Sequence, residues 1–156
     1  MEALDQLAAN LTAPQNKVGC GAMKELEVIS QTSDRVYSYF DHFLALLDHP
    51  NSYVRNRAMV LTAQNARWDG EGKLDRELDR YLAHILDEKP ITARQCVQNL
   101  SHILAAKPHL APKVRAALEG ADFTRYPDSM TPLLQRDAIK ILKQIDAISE
   151  TDGNEQ

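Results

Sequence analysis

Histidine and cysteine are the residue types most often used as metal ligands, and this sequence does not arrange either of them for that role. The two cysteines, Cys20 and Cys96, are far apart and form no CxxC motif. No two histidines lie four residues apart on one predicted helix, the spacing of a helical zinc site. We therefore expect no metal, no cofactor and two free thiols, as in the reducing cytoplasm. The five histidines are His42, His49, His84, His102 and His109.

Catalytic motifs are also missing from the sequence, which contains no GxSxG, P-loop, GxGxxG or HExxH string. The carboxylates Asp75, Glu77 and Asp79 lie among Lys73 and Arg76. This alternation is typical of a solvated helix face with ion pairs three or four residues apart. We assign no catalytic residue and favour a non-enzymatic role.

Three arginines recur at similar places: Arg55, Arg94 and Arg136 are 39 and 42 residues apart. One interpretation is a basic ladder that binds a ligand. The other is a set of internal Asp–Arg bonds between neighbouring repeats, which the sequence favours because Asp48 and Asp87 each precede an arginine by seven residues. We predict a structural role for these five residues.

Trp68 is the only tryptophan and follows a predicted helix. A tryptophan in a loop can stack on a base or a sugar. It can also fill the joint between two helix pairs, where its large apolar ring is buried. Both interpretations stay open, and Trp68 is kept as a candidate partner-binding residue.

A repeat near 40 residues predicts the helices that carry these side chains. Segments beginning at Pro50, Pro90 and Pro132 each have an arginine four or five residues after the proline, a small or branched apolar residue at Arg+3, and Leu at Arg+6. Proline is tolerated at the first helical position, where its missing N–H has no helical partner. By this register Ala58, Val97 and Ile139 are equivalent core positions.

A second apolar stripe at helical spacing precedes each of these helices, over residues 36–47, 74–86 and 110–118. One helix pair cannot bury its own apolar face, so such pairs must stack. The sequence therefore predicts an all-α fold of stacked helix pairs. We expect one repeat domain over residues 1–149 and a disordered polar tail over 150–156.

The string Asp48-His49-Pro50…Val54-Arg55…Ala58…Leu61 resembles a HEAT repeat. The resemblance implies a right-handed α-solenoid of about four stacked HEAT-like pairs. The third unit departs from the pattern through an insertion near residues 120–130. Most of the chain also resembles small bacterial HEAT-repeat proteins with a SufBD-like label, after iron–sulfur scaffold proteins, but two distant cysteines do not form a cluster site.

Charge is unevenly distributed between the two sets of helices. The chain carries a net charge of −4, yet segments 16–31, 51–68, 90–107 and 132–148 hold ten basic and four acidic residues. These segments are the second helices of the pairs and line the concave side in HEAT relatives. We predict that this side binds an acidic partner segment through residues outside the Asp–Arg pattern, together with Trp68: Arg57, Arg67, Lys140 and Lys143.

The leading functional hypothesis is therefore a protein–protein interaction module or adaptor. The alternative is a nucleic-acid-binding protein related to HEAT-like DNA alkylation-repair glycosylases, with Trp68, Arg55 and Arg94 as its candidate residues. A third class, lyase-like HEAT relatives that act on bilin pigments, has only fold analogy behind it. No apolar run is long enough for a membrane span, so a cytoplasmic protein is expected, and the oligomeric state is left open.

Overall fold

Eight α-helices make up most of the part of the chain that the structure describes. The structure is a computed structural model that describes the backbone of residues 2–154 and the side chains of residues 3–150. The helices are α1 (Glu2–Asn10), α2 (Asn16–Thr32), α3 (Phe40–Leu46), α4 (Ser52–Asn65), α5 (Lys73–Leu82), α6 (Pro90–Ala106), α7 (Ala111–Glu119) and α8 (Thr131–Asn154). Short 3₁₀ segments lie at Arg35–Tyr39, Ala66–Trp68, Ala83–Leu86, Pro108–Leu110 and Phe123–Arg125.

The prediction of an all-α chain is confirmed, since the described residues form no strand. None of the helices within that range is long and apolar enough to cross a membrane.

Proline lies in the first turn of two repeat helices as the pattern predicts, whereas Pro50 lies two residues before α4. Pro90 is the first residue of α6, and Pro132 is the second residue of α8. In α4 the cap is Asn51, whose side-chain oxygen accepts a hydrogen bond from the Tyr53 backbone N–H at 2.9 Å. This bond satisfies a backbone donor that has no partner within the helix.

The chain divides into two compact units, residues 1–78 and 79–156, with the boundary inside α5. The expected single domain over residues 1–149 stays a prediction, and each unit is described by itself below.

In the first unit, α2 packs against α1 and α4, and α3 packs against α4. Helix α4 is buried on most of its surface, so it carries no amphipathic pattern. Large apolar side chains from these helices, and from the residues that directly follow α1 and α3, are fully or almost fully buried: Leu4, Leu11, Leu26, Phe40, Phe43, Leu47, Val54, Met59 and Leu61.

In the second unit, α6 and α7 both pack against α8. Tyr81 is fully buried and donates a hydrogen bond to the Cys96 carbonyl at 2.8 Å. The insertion near residues 120–130 is anchored by the buried side chains of Phe123 and Tyr126. The Tyr126 hydroxyl donates to the Asp87 carbonyl, which ties the insertion to the turn before α6.

The third repeat is shifted by one residue from the predicted register. Ala58 and Val97 are fully buried as expected, but Ile139 is 51% exposed and its neighbour Ala138 is buried. The buried positions of α8 follow helical spacing from Leu134 through Ala138 to Ile141. Alignment of the repeats on their arginines misplaced the third repeat by one residue. The buried residue lies three positions after Arg94, at Val97, but only two positions after Arg136, at Ala138.

The structure continues α8 to Asn154, so residues 150–154 of the expected disordered tail are helical. Each residue added to an existing helix gains a backbone hydrogen bond without a new nucleation step. The last two residues of the predicted tail lie outside the described residues.

Candidate partner-binding site

Three exposed basic residues lie on one face of α8. Arg136, Lys140 and Lys143 are separated by four and three residues, the spacing that places side chains on one side of a helix. We call this set the basic stripe. Arg136 forms no Asp–Arg bond with a described residue, which corrects its expected structural role. It spans about 10 Å along the helix axis at a rise of about 1.5 Å per residue.

The basic stripe has no acidic counter-ion among the side chains that the structure describes. The two acidic residues nearest to it in sequence are engaged elsewhere. Asp137 binds Arg94 of α6, and Asp146 binds Arg115 of α7 at 2.5 Å. Adjacent like charges on a helix repel weakly, so an anionic partner would relieve this repulsion.

A groove of about 390 Å³, lined mainly by residues with polar side chains, runs beside the basic stripe between α6 and α8, and Lys140 belongs to both. We call it the α6–α8 groove. A groove of this size falls in the range of ligand-binding pockets. Its lining residues are Gln98, Ser101, Asp137, Lys140, Ile141 and Gln144.

An ion pair between the two helices adjoins this groove. Arg94 Nε lies 2.7 Å from Asp137 Oδ2, and Arg94 Nη2 lies 3.2 Å from Oδ1. This two-point contact raises the pKa of Arg94 and fixes α6 against α8. The carboxylate partner of Arg94 is thus Asp137 of the next helix pair, which corrects the expected pairing with Asp87.

Asp87 and Arg55 stabilise turns. The Asp87 carboxylate lies 2.7 Å from His84 Nδ1 and accepts a hydrogen bond from the Lys89 backbone N–H at 2.9 Å. Arg55 is buried and donates to the carbonyls of His49 and Pro50 in the turn before α4. Asp48 is exposed in that same turn.

Arg57 is not available to a partner, which corrects its prediction as an exposed binding residue. It is only 4% exposed, and its guanidinium donates to the Leu11 carbonyl at 2.8 Å and to Asn16 Oδ1 at 2.9 Å. Burial lowers the pKa of Arg57 because the charged group loses its water. The residues next to Arg57 in sequence do not indicate that its side chain will be buried against backbone carbonyl groups more than 40 residues away.

Arg67 and Trp68 both bond to the C-terminal end of α2. Arg67 is exposed, but its guanidinium donates to the Gln31 carbonyl and to Gln64. The half-buried Trp68 indole N–H donates to the Ser30 carbonyl at 2.7 Å. This geometry favours the structural interpretation of Trp68, as a side chain that joins two helix pairs.

The first unit has a cavity of its own, about 600 Å³, lined by residues of both charges, including Asp34, Arg35, Glu71 and Lys73. Tyr37 borders it and donates to Asp69 Oδ1 at 2.5 Å. Burial and this carboxylate raise the pKa of Tyr37 well above its ordinary value. The mixed charges favour no particular class of ligand.

Among the described residues, the structure forms no cluster suited to metal binding or to acid–base catalysis. Within the described range, no three His, Cys, Asp or Glu side chains are grouped as metal ligands. His84 and Asp87 form the kind of pair found in catalytic sites, but both side chains are largely buried. We assign that pair to the turn it closes.

The groove residues Gln98, Ser101 and Gln144 were not predicted from the sequence. A signal was present: Asp137, Ile141 and Gln144 share one face of α8 by their spacing. Glutamine and serine carry no charge and belong to no motif, so only the packing of α6 on α8 identifies them as neighbours.

The two thiols should differ sharply in reactivity. Cys20 is partly exposed, whereas Cys96 is fully buried, and burial raises the pKa of its thiol far above the ordinary value. Because the thiolate is the reactive form, we expect a thiol reagent at pH 8 to modify Cys20 in the native protein and Cys96 only after unfolding. Peptide mass spectrometry measures this, and a Cys20→Ser variant with a fast-reacting thiol would contradict it.

Comparison with known proteins adds no assignment. No family model matches the chain, and no curated protein or solved structure is significantly similar to it.

Proposed function

We propose that this protein is a non-catalytic protein–protein interaction module whose basic stripe binds an acidic segment of a partner. The observation that carries the proposal is the set of three exposed cations on α8 without an acidic counter-ion among the described side chains. An anionic partner would be attracted to this face although the chain as a whole is acidic.

The proposed architecture is a right-handed α-solenoid of about four HEAT-like pairs, a fold suited to holding extended segments. In support, the packing of α2 on α4 in the first unit has a counterpart in the packing of α6 on α8 in the second. Two free thiols support a reducing compartment such as the cytoplasm.

The nucleic-acid alternative has less support from individual residues. Arg55 and Arg94, two of its candidate residues, are committed to internal hydrogen bonds or ion pairs, and the third, Trp68, bonds to a backbone carbonyl. The basic stripe could still attract phosphates, so the experiment below includes DNA as a competitor.

Charge reversal of the basic stripe tests the proposal. We expect Arg136→Glu/Lys140→Glu/Lys143→Glu to weaken binding of a labelled eight-residue peptide of alternating glutamate and serine by at least about tenfold, because three attractive contacts become repulsive. Fluorescence anisotropy at two salt concentrations measures the change. Binding to the wild type should weaken with salt, since exposed charges are screened.

The matched control is Arg76→Glu/Lys89→Glu/Lys113→Glu, which changes the net charge equally at exposed positions outside α8. This variant should bind the peptide like the wild type. Equal losses of peptide affinity in the two variants would show that binding depends only on net charge, and this would refute the proposal. Displacement of the peptide by low concentrations of single-stranded DNA would instead support the nucleic-acid alternative. A pull-down from cell lysate, with and without nuclease, would then identify the partner.

A further inference from the structure

The α6–α8 groove contains side-chain oxygens that have no hydrogen-bond partner among the described residues. The side-chain N–H groups of Gln98 and Gln144 are engaged, the first with Asp137 Oδ1 at 3.4 Å and the second with the Ser101 carbonyl at 2.9 Å. The side-chain carbonyl oxygen of each glutamine receives no hydrogen bond from a described residue. Each amide oxygen can therefore accept a hydrogen bond from a ligand.

The chemistry of the groove discriminates between classes of ligand. The two amide oxygens are hydrogen-bond acceptors, whereas the buried Asp137 carboxylate is already bonded to Arg94 and Gln98. A phosphodiester backbone is anionic and has no donor to offer these groups. A polypeptide backbone presents an N–H at every residue except proline, and therefore complements them.

We propose that the α6–α8 groove holds the main chain of the acidic segment, with Gln98 and Gln144 accepting hydrogen bonds from its backbone N–H groups. Lys140, which lines the groove and belongs to the basic stripe, then pairs with an acidic side chain of the same segment. Alternate side chains of an extended segment are about 6.6 Å apart, so a second acid reaches the rest of the stripe. This inference rests on the proposed function, because it specifies how that partner binds.

Recognition of the peptide main chain can be tested separately from recognition of its charge. Gln98→Ala/Gln144→Ala removes the two acceptors and leaves the net charge unchanged. We expect this variant to bind the glutamate–serine peptide about tenfold more weakly than the wild type, with an unchanged dependence on salt. Circular dichroism spectra and melting curves check that the fold is retained, since Gln144 also contacts the Ser101 carbonyl.

A modified peptide tests the same contact without changing the protein. N-methylation of alternate backbone nitrogens removes hydrogen-bond donors but keeps every carboxylate. The methylated peptide should bind the wild type about tenfold more weakly than the parent peptide. The methylated peptide and the parent peptide should bind the Gln98→Ala/Gln144→Ala variant with equal affinity, because this variant lacks the two acceptors.

The possible failures are distinguishable. If binding depends on the basic stripe but neither the glutamines nor N-methylation changes it, the groove assignment is wrong and the proposed function stands. If the wild type does not bind the peptide even at low salt, both are overturned. Equal weakening by N-methylation in the wild type and the double variant would also refute the groove assignment, since the loss would then come from the peptide alone.

Discussion

Replacement of Ala58 by aspartate should strongly destabilise the first unit. Ala58 is fully buried in α4, the helix that packs against both α2 and α3. The new carboxylate would be enclosed without a counter-ion, and its extra atoms would also overfill the core. A cost of about 4 kcal/mol or more is expected, against a typical total stability of about 5–15 kcal/mol.

Trp68 gives a local measurement of this effect because it lies in the first unit and is the only tryptophan in the sequence. Its fluorescence in a urea titration should show an early or absent unfolding transition in the Ala58→Asp variant. The matched control is Ala45→Asp, at an exposed position of α3, which should unfold close to the wild type. A wild-type transition in Ala58→Asp would show that the register of α4 is wrong.

Replacement of Gly19 by alanine should destabilise the protein, although alanine is the better helix former. A Cβ on Gly19 would lie 2.1 Å from Arg57 Cζ, too close for the guanidinium to remain in place. The displaced guanidinium would lose its bonds to the Leu11 carbonyl and Asn16. Hydrogen bonds of charged groups contribute about 1.5–3 kcal/mol, which exceeds the gain of about 1 kcal/mol from glycine to alanine in a helix.

Gly21 is a control on the same helix. A Cβ at this position would meet no atom within 4 Å, so Gly21→Ala should stabilise the protein by about 0.5–1 kcal/mol. We therefore expect the urea midpoint to fall in Gly19→Ala and to rise in Gly21→Ala.

A double-mutant cycle identifies the cause at Gly19. In an Arg57→Ala background the space beside Gly19 is open, so Gly19→Ala should become stabilising by about the same amount as Gly21→Ala. If Gly19→Ala destabilises both backgrounds equally, contact with Arg57 is not the reason. Stabilisation by Gly19→Ala in the wild type would mean that the guanidinium gives way at no cost.

The positions of the helices were largely predictable from local sequence. Proline and an apolar period of 3.6 residues identify α4, α6 and α8. Both signals are local, because proline restricts the backbone near a helix start and the apolar period places residues of one turn on the same buried face. The fully buried Ala58 and Val97 follow from this pattern. Charge counting likewise led to Lys140 and Lys143, both of which are exposed.

The partners of the arginines could not be predicted in this way. Spacing suggested Asp87 for Arg94, but the tertiary packing of α6 on α8 brings Asp137 to it from 43 residues away. Arg57 belongs to a basic segment by sequence, and only the approach of α2 and the turn before it to α4 buries it. A local pattern does not encode the distance between residues on different helices.

The sequence by itself determined the helical class, the approximate helix bounds and the excess of basic residues in the second helices. The tertiary structure decided which of those charges are exposed, left the face of α8 with Arg136, Lys140 and Lys143 uncovered, and formed the α6–α8 groove. The physical reason is that helix formation and amphipathic burial follow from residues within one or two turns. The exposure of a charge and the lining of a groove depend on how two helices, distant in sequence, pack against each other.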